Sequence, residues 1–353
     1  MQKRWLRSTV KDLQLYYIPD IRNSPLRMDT NTNPLGENPS SREALEECAS
    51  LDLGQYPSTY GDGLRRELAD LYGTHQDNIV VGNGSDEILD IIFKTFMEPG
   101  GNVVMAYPSY SLHGWFGQIN GGGSVEVDLK EGFQLDVDKM MDAKGNLVMI
   151  CTPNNPTSNS FAREDVLRLV EGSDRPVVVD EAYGEFAKPG SSLIPLVDKY
   201  PNLIVTRTFS KAYALAGMRI GYSIANKDLT LAMQKVKVPY SLNKVSELVA
   251  IKAVRNQDFV RRSVDIVNGE RRRLEDGLSS LGFNVFPSQA NFILFKSPKD
   301  SAELVRRLGA KGVLIRDFGR KRLLENCART TIGTREQNDV LLGRMAEVMK
   351  EWR

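Results

Sequence analysis

Apolar residues in this 353-residue chain gather in short β-rich runs that alternate with stretches of helical period. The runs Asn78–Gly82, Asn102–Ala106, Ser124–Val127, Leu147–Cys151, Val177–Asp180, Leu203–Thr208 and Ile220–Ile224 read as strands. Apolar positions three and four apart mark helices near Gly63–Tyr72, Asp86–Met97, Arg163–Glu171 and Leu229–Val236. Strands that alternate with helices predict a mostly parallel sheet covered on both faces. From Asn243 the pattern changes. A long amphipathic stretch runs to about Leu281 and is expected to break near Gly269. Shorter units follow: Asn291–Phe295, Val313–Arg316 and Thr330–Ile332 as strands, Ala302–Gly309 and Glu336–Trp352 as helices. The expected fold class is therefore α/β: a large domain with a mostly parallel seven-stranded sheet over residues 41–255, and a smaller α/β C-terminal domain over 256–353. Residues 1–40 are expected to join the small domain.

Composition narrows the class of function. Forty-one per cent apolar and 26 per cent charged residues are ordinary for a globular chain. Basic and acidic residues number 46 and 45, a formal net charge of +1. Such a balance offers no field of one sign to draw in nucleic acid or a membrane surface. No 7–15-residue apolar stretch follows Met1-Gln2-Lys3-Arg4-Trp5, so a signal peptide is not expected. Cys48, Cys151 and Cys327 are odd in number and far apart. They suggest reduced thiols in a cytoplasmic protein rather than a disulfide frame or a metal site. Gly121-Gly122-Gly123 reads as a turn between helix and strand, not a phosphate loop.

The candidate chemistry centres on Lys211, in Thr208-Phe209-Ser210-Lys211, with Arg219 eight residues later. A lysine after a serine is by itself uninformative, and most lysines are solvated surface charges. This one is preceded, in order, by Asn155, Asp180 and Tyr183, and these lie at the ends of predicted strands. Amide, acid, phenol, lysine and arginine together are a set of parts for pyridoxal phosphate (PLP). The lysine binds the aldehyde covalently, the acid pairs with the ring nitrogen, and the arginine takes phosphate. Asp180 closes a buried run 31 residues before Lys211, where α/β sheets bind ligands. Its competing reading is a cap for the next helix. Gly82-Asn83-Gly84-Ser85-Asp86 links strand to helix and offers free N–H groups to an anion. Taken alone, it is an ordinary turn.

This order and spacing resemble the PLP-dependent aminotransferases of the aspartate-aminotransferase fold (fold type I), over about Tyr17 to Glu336. Asn31-Thr32-Asn33-Pro34, Ser210-Lys211-Ala212-Tyr213-Ala214-Leu215-Ala216-Gly217-Met218-Arg219 and Gly333-Thr334-Arg335-Glu336 are most similar to the histidinol-phosphate aminotransferase branch. The resemblance implies a transaminase of histidine biosynthesis that uses 2-oxoglutarate. It implies Lys211, Asp180 and Tyr183 as catalytic residues. Gly84, Ser85, Asp86, Tyr110, Asn155, Ser210 and Arg219 would hold the cofactor with them, Tyr110 on the ring face. Arg316 and Arg329 would bind the anionic end of the substrate, and Asn33 would lie near it. Arg320 and Arg322 read as solvent-facing loop charges. The resemblance further implies a homodimer in which Tyr56 reaches the partner's cofactor phosphate and Tyr17 the partner's substrate. No metal is expected.

Two positions depart from the family pattern: Thr32, where Glu is usual, and Ser158, where Gly is usual. Thr32 lies in the segment that lines the substrate side. An aromatic aminotransferase and a threonine-phosphate decarboxylase-like lyase are therefore the alternatives on the same fold. A regulator with an aminotransferase-like domain would need a DNA-binding domain, for which the motifs leave no room. A nucleotide-binding enzyme would need a fingerprint that the chain lacks.

Overall fold

The computed structural model describes residues 5–11, 13 and 26–352. Its main sheet has seven strands: β2 (Ile79–Gly82), β3 (Asn102–Tyr107), β4 (Gly123–Asp128), β5 (Leu147–Cys151), β6 (Val177–Asp180), β7 (Leu203–Thr208) and β8 (Gly221–Ala225). β1 (Leu26–Arg27) lies apart from them. The order across the sheet is β2-β8-β7-β6-β5-β3-β4. β8 runs antiparallel to both neighbours, and all other pairings are parallel. Five of the strands, β2, β5, β6, β7 and β8, are buried along their whole length. That accounts for their continuous apolar runs, because helices cover both faces.

The expected strands and helices of this half lie within two residues of the observed ones. Among the described residues, four α-helices of this half were not expected: Ser8–Lys11, Pro39–Cys48, Leu112–Ile119 and Val137–Asp142.

The second half corrects two expectations. The long amphipathic stretch breaks at Asn256, between helices Lys244–Arg255 and Gln257–Ser280, and not at Gly269. Gly269 sits inside a 24-residue helix with open space beside it, so it costs only its propensity, about 1 kcal/mol. Asn256 leaves helical geometry (φ −101°, ψ 70°) and donates a side-chain hydrogen bond to Ser40 Oγ at 3.1 Å. The expected strand Val313–Arg316 is two short strands, β11 (Val313–Leu314) and β12 (Arg316–Asp317), divided at Ile315. β11 pairs in parallel with β1, while β12 joins β13 (Cys327–Thr331), β10 (Phe292–Lys296) and β9 (Asn284–Val285). The N-terminal segment thus reaches the C-terminal elements. Met28 O accepts from Thr331 N at 2.8 Å, and the chain then runs across the carboxyl ends of the main sheet.

Candidate active site

The floor is built by register. Cys151, Asp180 and Thr206 are partners across β5, β6 and β7 at the carboxyl end of the sheet. Asp180 is buried and lines the cavity. Its Oδ1 accepts from Thr206 Oγ1 at 3.0 Å and from Ala182 N at 3.2 Å. Its Oδ2 lies 3.4 Å from Nε2 of the buried His113, whose ring meets Tyr110 edge-on at 5.4 Å. Behind this carboxylate, buried Arg207 binds Glu181 at 2.7 Å and Glu185 at 2.8 Å. Either partner alone would leave an uncompensated charge in the interior, so the pair ties the Asp180–Tyr183 turn to β7.

Lys211 follows β7 and is enclosed by the N-terminal segment. Its Nζ donates to Thr30 O at 3.0 Å and lies 5.6 Å from the ring centroid of Tyr183. Burial, reinforced by the nearby Arg329 and Arg219 cations and opposed by Asp86, pushes its pKa down to about 7. A neutral amine is therefore available near neutral pH. Tyr183 Oη accepts from Asn31 Nδ2 at 3.2 Å, and burial pushes its pKa up to about 12.

An anion-binding corner lies beside the lysine. The helix Ser85–Phe96 starts at Gly84 with no side-chain cap, so its first N–H groups are turned to the cavity edge. Gly84 has φ +88°, and a Cβ there would stand 2.7 Å from Arg219 Nη2. A Cβ on Gly221 would lie 2.2 Å from Ser85 N. Both glycines let the strand, the helix end and Arg219 converge. Arg219 pairs with Asp86 at 2.8 Å, and Ser210 lies between this corner and Lys211.

The opposite wall is cationic. Arg316 and Arg329 are register partners on β12 and β13. Arg329 donates to Asp29 O at 2.7 Å and to Asn155 Oδ1, and its guanidinium lies over the rings of Phe292 and Phe318 at 5.1 and 5.4 Å. The cavity between floor, corner and wall measures about 470 Å³, the size of a small-molecule site.

Residues 24–345 match the family described as aminotransferase class I and II. The chain belongs to that family. It is 35% identical to the histidinol-phosphate aminotransferase of Thermoanaerobacter sp. (strain X514), over 99% of this chain and 100% of the relative. A histidinol-phosphate aminotransferase of Pyrococcus furiosus is also 35% identical, over 94% of each chain. Among solved structures, histidinol-phosphate aminotransferase from Sinorhizobium meliloti, in complex with pyridoxal-5′-phosphate, superposes with a TM-score of 0.92. It covers 99% of both chains at 26% identity.

In this aminotransferase the cavity wall brings together Ser85, Asp86, Tyr110, Asn155, Asp180, Tyr183, Ser210, Lys211, Arg219, Arg316 and Arg329, while Gly84 stands just behind it at the start of the Ser85–Phe96 helix. Asn33 does not line it. Its amide instead donates to the backbone oxygens of Lys211 and Ala212 and to Ser263 Oγ, at 3.3, 2.9 and 3.0 Å. Asn31 and Thr32 face the cavity instead. Tyr56 is 79% exposed, stacked on Tyr240 at 4.8 Å and away from this cavity. Tyr17 lies outside the described residues. Arg322 is exposed in the loop as expected, and it pairs there with Glu126 and Asp128.

His113 and Thr206, both on the Asp180 carboxylate, were missed. Thr206 was legible as the strand partner of Asp180. His113 gave no signal, because a lone histidine in an apolar helix is usually a core residue. The described residues hold no group of His, Cys, Asp and Glu able to bind a metal, and no helix long and apolar enough to cross a membrane.

Proposed function

We propose that this chain is a PLP-dependent aminotransferase that moves the amino group of histidinol phosphate to 2-oxoglutarate, as a cytoplasmic homodimer. The observation that carries the reading is a half-buried lysine lining the cavity, its pKa pushed down to about 7, set between an acid floor and a pair of arginines. Identity of 35% over nearly the whole chain to relatives named for histidinol phosphate supports the substrate.

The residues fit the cofactor. The free N–H groups at Ser85 and Asp86, with Ser210 and Arg219, suit its phosphate, and Gly84 and Gly221 let these groups converge. Tyr110 suits the ring face, while Asn155 and Tyr183 suit the ring hydroxyl. Asp180, held by Thr206, Ala182 N–H and His113, suits the ring nitrogen, whose protonated form an adjacent carboxylate stabilises. PLP, when bound, supplies an electron-accepting ring conjugated to the carbon that receives the amino group.

The chain does the rest. Lys211 Nζ, neutral above about pH 7, would take the proton from the substrate Cα and deliver it to the carbon that receives the amino group. Arg316 and Arg329 hold the anionic end of each substrate in turn, because a guanidinium fork suits both phosphate and carboxylate. Asn33 clamps the Lys211 backbone from the N-terminal segment. The division at residues 40 and 255 into a cofactor-binding and a smaller domain is supported by the separate seven- and four-stranded sheets and the helix break at Asn256.

The exposed Tyr56–Tyr240 pair supports a two-fold partner, to whose cofactor Tyr56 would reach, and Tyr17 to its substrate. Mixed dimers of inactive Lys211→Ala chains and impaired Tyr56→Ala chains should regain part of the activity, because one site then has Lys211 and Arg219 from one chain and Tyr56 from the other. No regain, with subunit exchange verified, would assign each site to one chain.

The deciding experiment is an absorbance screen of the PLP-loaded protein against histidinol phosphate, threonine phosphate, phenylalanine and glutamate. Fast spectral change with histidinol phosphate and glutamate alone is expected. An equal rate with phenylalanine would make this an aromatic aminotransferase and point to Thr32. Release of carbon dioxide from threonine phosphate would make it a lyase.

A further inference from the structure

The loop between β12 and β13 walls the cavity next to Arg316 and Arg329, and it is held by specific contacts at each end. Asp317 Oδ1 accepts from Ser301 Oγ at 2.6 Å and from Gly319 N at 3.0 Å. Leu324 is fully buried against Leu294 and Cys327. Between these anchors Arg322 ties the loop to the edge of the main sheet. Its guanidinium bonds Asp128, reaches Glu126 at 3.2 Å and lies 4.3 Å above the ring of Tyr107. Tyr107 in turn leads into Ser109 and Tyr110 of the cavity wall.

This strap sets the surroundings of Lys321. Arg322 occupies the nearby carboxylates, and Lys321 makes no ion pair among the described residues. Lys321 is exposed at the cavity mouth, yet its side chain lines the cavity and its Nζ lies 5.5 Å from the ring centroid of Phe318. Phe318 also carries the guanidinium of Arg329, at 5.4 Å. The two cations are thus within about 11 Å of each other. Partial burial, then repulsion from Arg316 and Arg329, lowers the Lys321 pKa, with Glu126 opposing. Three like charges at one end of the cavity, two of them over one ring, are relieved most by an anion of more than one charge.

We propose that Lys321 is a specificity-determining residue: the third cation of the substrate-tail subsite, it favours a doubly charged phosphate monoester over a singly charged carboxylate, and Arg322 positions it. This rests on the substrate reading above.

The test uses PLP-loaded enzyme and two changes at one position. Lys321→Met keeps the apolar stem over Phe318 and removes the charge, and Lys321→Arg restores a charge. For Lys321→Met, KM for histidinol phosphate and the inhibition constant of inorganic phosphate should rise about five- to tenfold, a contact discounted for exposure. The KM for phosphate-free histidinol should not rise with them. Lys321→Arg should recover most of the loss. Arg320→Met makes the same charge change on an exposed neighbour outside the cavity, and should shift neither constant. Unchanged constants in Lys321→Met, or equal shifts in Arg320→Met, would overturn the proposal. If the unmutated enzyme uses histidinol as well as histidinol phosphate, the substrate reading fails instead. Inhibition by inorganic phosphate then decides the Lys321 contact alone.

Discussion

The floor of the cavity and its cationic wall are built in opposite ways. Asp180, Thr206 and Arg207 sit on adjacent buried strands, with Glu181 directly after its strand, where register leaves each side chain almost no choice. Lys321 and Arg322 sit on a loop that follows the two-residue strand of Arg316, and Arg322 ties that loop to a distant part of the chain. A rigid floor suits groups that handle protons and charge on a cofactor, since misplacement there costs rate directly. A loop-borne wall suits the part that must accept two different anionic tails. Changes to the floor should therefore fall on kcat, and changes to the wall on KM.

The largest effect is expected at Lys211. Lys211→Ala should lose at least the ~10²–10⁴-fold that positioned proton transfer contributes. Borohydride reduction of the loaded enzyme, followed by peptide mapping, should place the pyridoxyl mass on Lys211. Finding it on another lysine would end the proposed mechanism. Asp180→Asn comes next: it should retain PLP, because the phosphate corner is separate, and lose most of its kcat with little change in KM. Normal turnover in Asp180→Asn would remove the assigned partner of the ring nitrogen.

The same division decides what could be read without coordinates. Asp180, Tyr183, Lys211 and Asn155 were legible because each ends or follows a continuous apolar run, and a strand end in a parallel sheet faces the ligand side. Asn33, Arg322 and Lys321 were not. Their roles depend on which backbone oxygens, carboxylates or rings lie across from them in space, and local pattern is silent on that. Arg322 and Glu126 are far apart in sequence, and their pairing follows only from how the C-terminal loop lies on the edge strand β4. The break at Asn256 was placed at Gly269 for a related reason. Glycine marks where a helix can end, but Asn256 leaves helical geometry and bonds Ser40 from another part of the chain.

Arg329 lies where the two regions touch, so its substitution sharpens the contrast. Arg329→Ala should raise KM for both histidinol phosphate and 2-oxoglutarate by about ten- to a hundredfold, the loss of a charge-assisted contact. It should also reach the floor. The Arg329 cation helps hold the Lys211 pKa down at about 7. Lys211 accepts a proton only when neutral, so kcat should fall as pH drops through about 7. Without the arginine the Lys211 pKa rises, and this limb should move to higher pH. A raised KM with an unmoved limb would mean that the wall does not act on the floor.

The smallest effect separates the two departures from the family pattern. Ser158 is fully buried beside the Asn155 turn and holds φ +65°, a left-handed conformation that favours glycine. Its hydroxyl donates to Thr157 O at 2.6 Å, and its backbone N–H to Asn154 O at 2.7 Å. The strain belongs to the turn, not to the cavity, which Ser158 does not line. A non-glycine residue pays about 1–2 kcal/mol there, and glycine gives back part of that through its freer unfolded chain. Ser158→Gly should therefore raise stability by about 0.5–1 kcal/mol in urea unfolding, with substrate preference unchanged. Thr32 is exposed and lines the cavity, so Thr32→Glu should do the reverse: shift the ratio of KM values for histidinol phosphate and phenylalanine while leaving the unfolding midpoint in place. If Ser158→Gly changed substrate preference instead, the turn would transmit to Asn155 and Arg329, and floor and wall would be one unit rather than two.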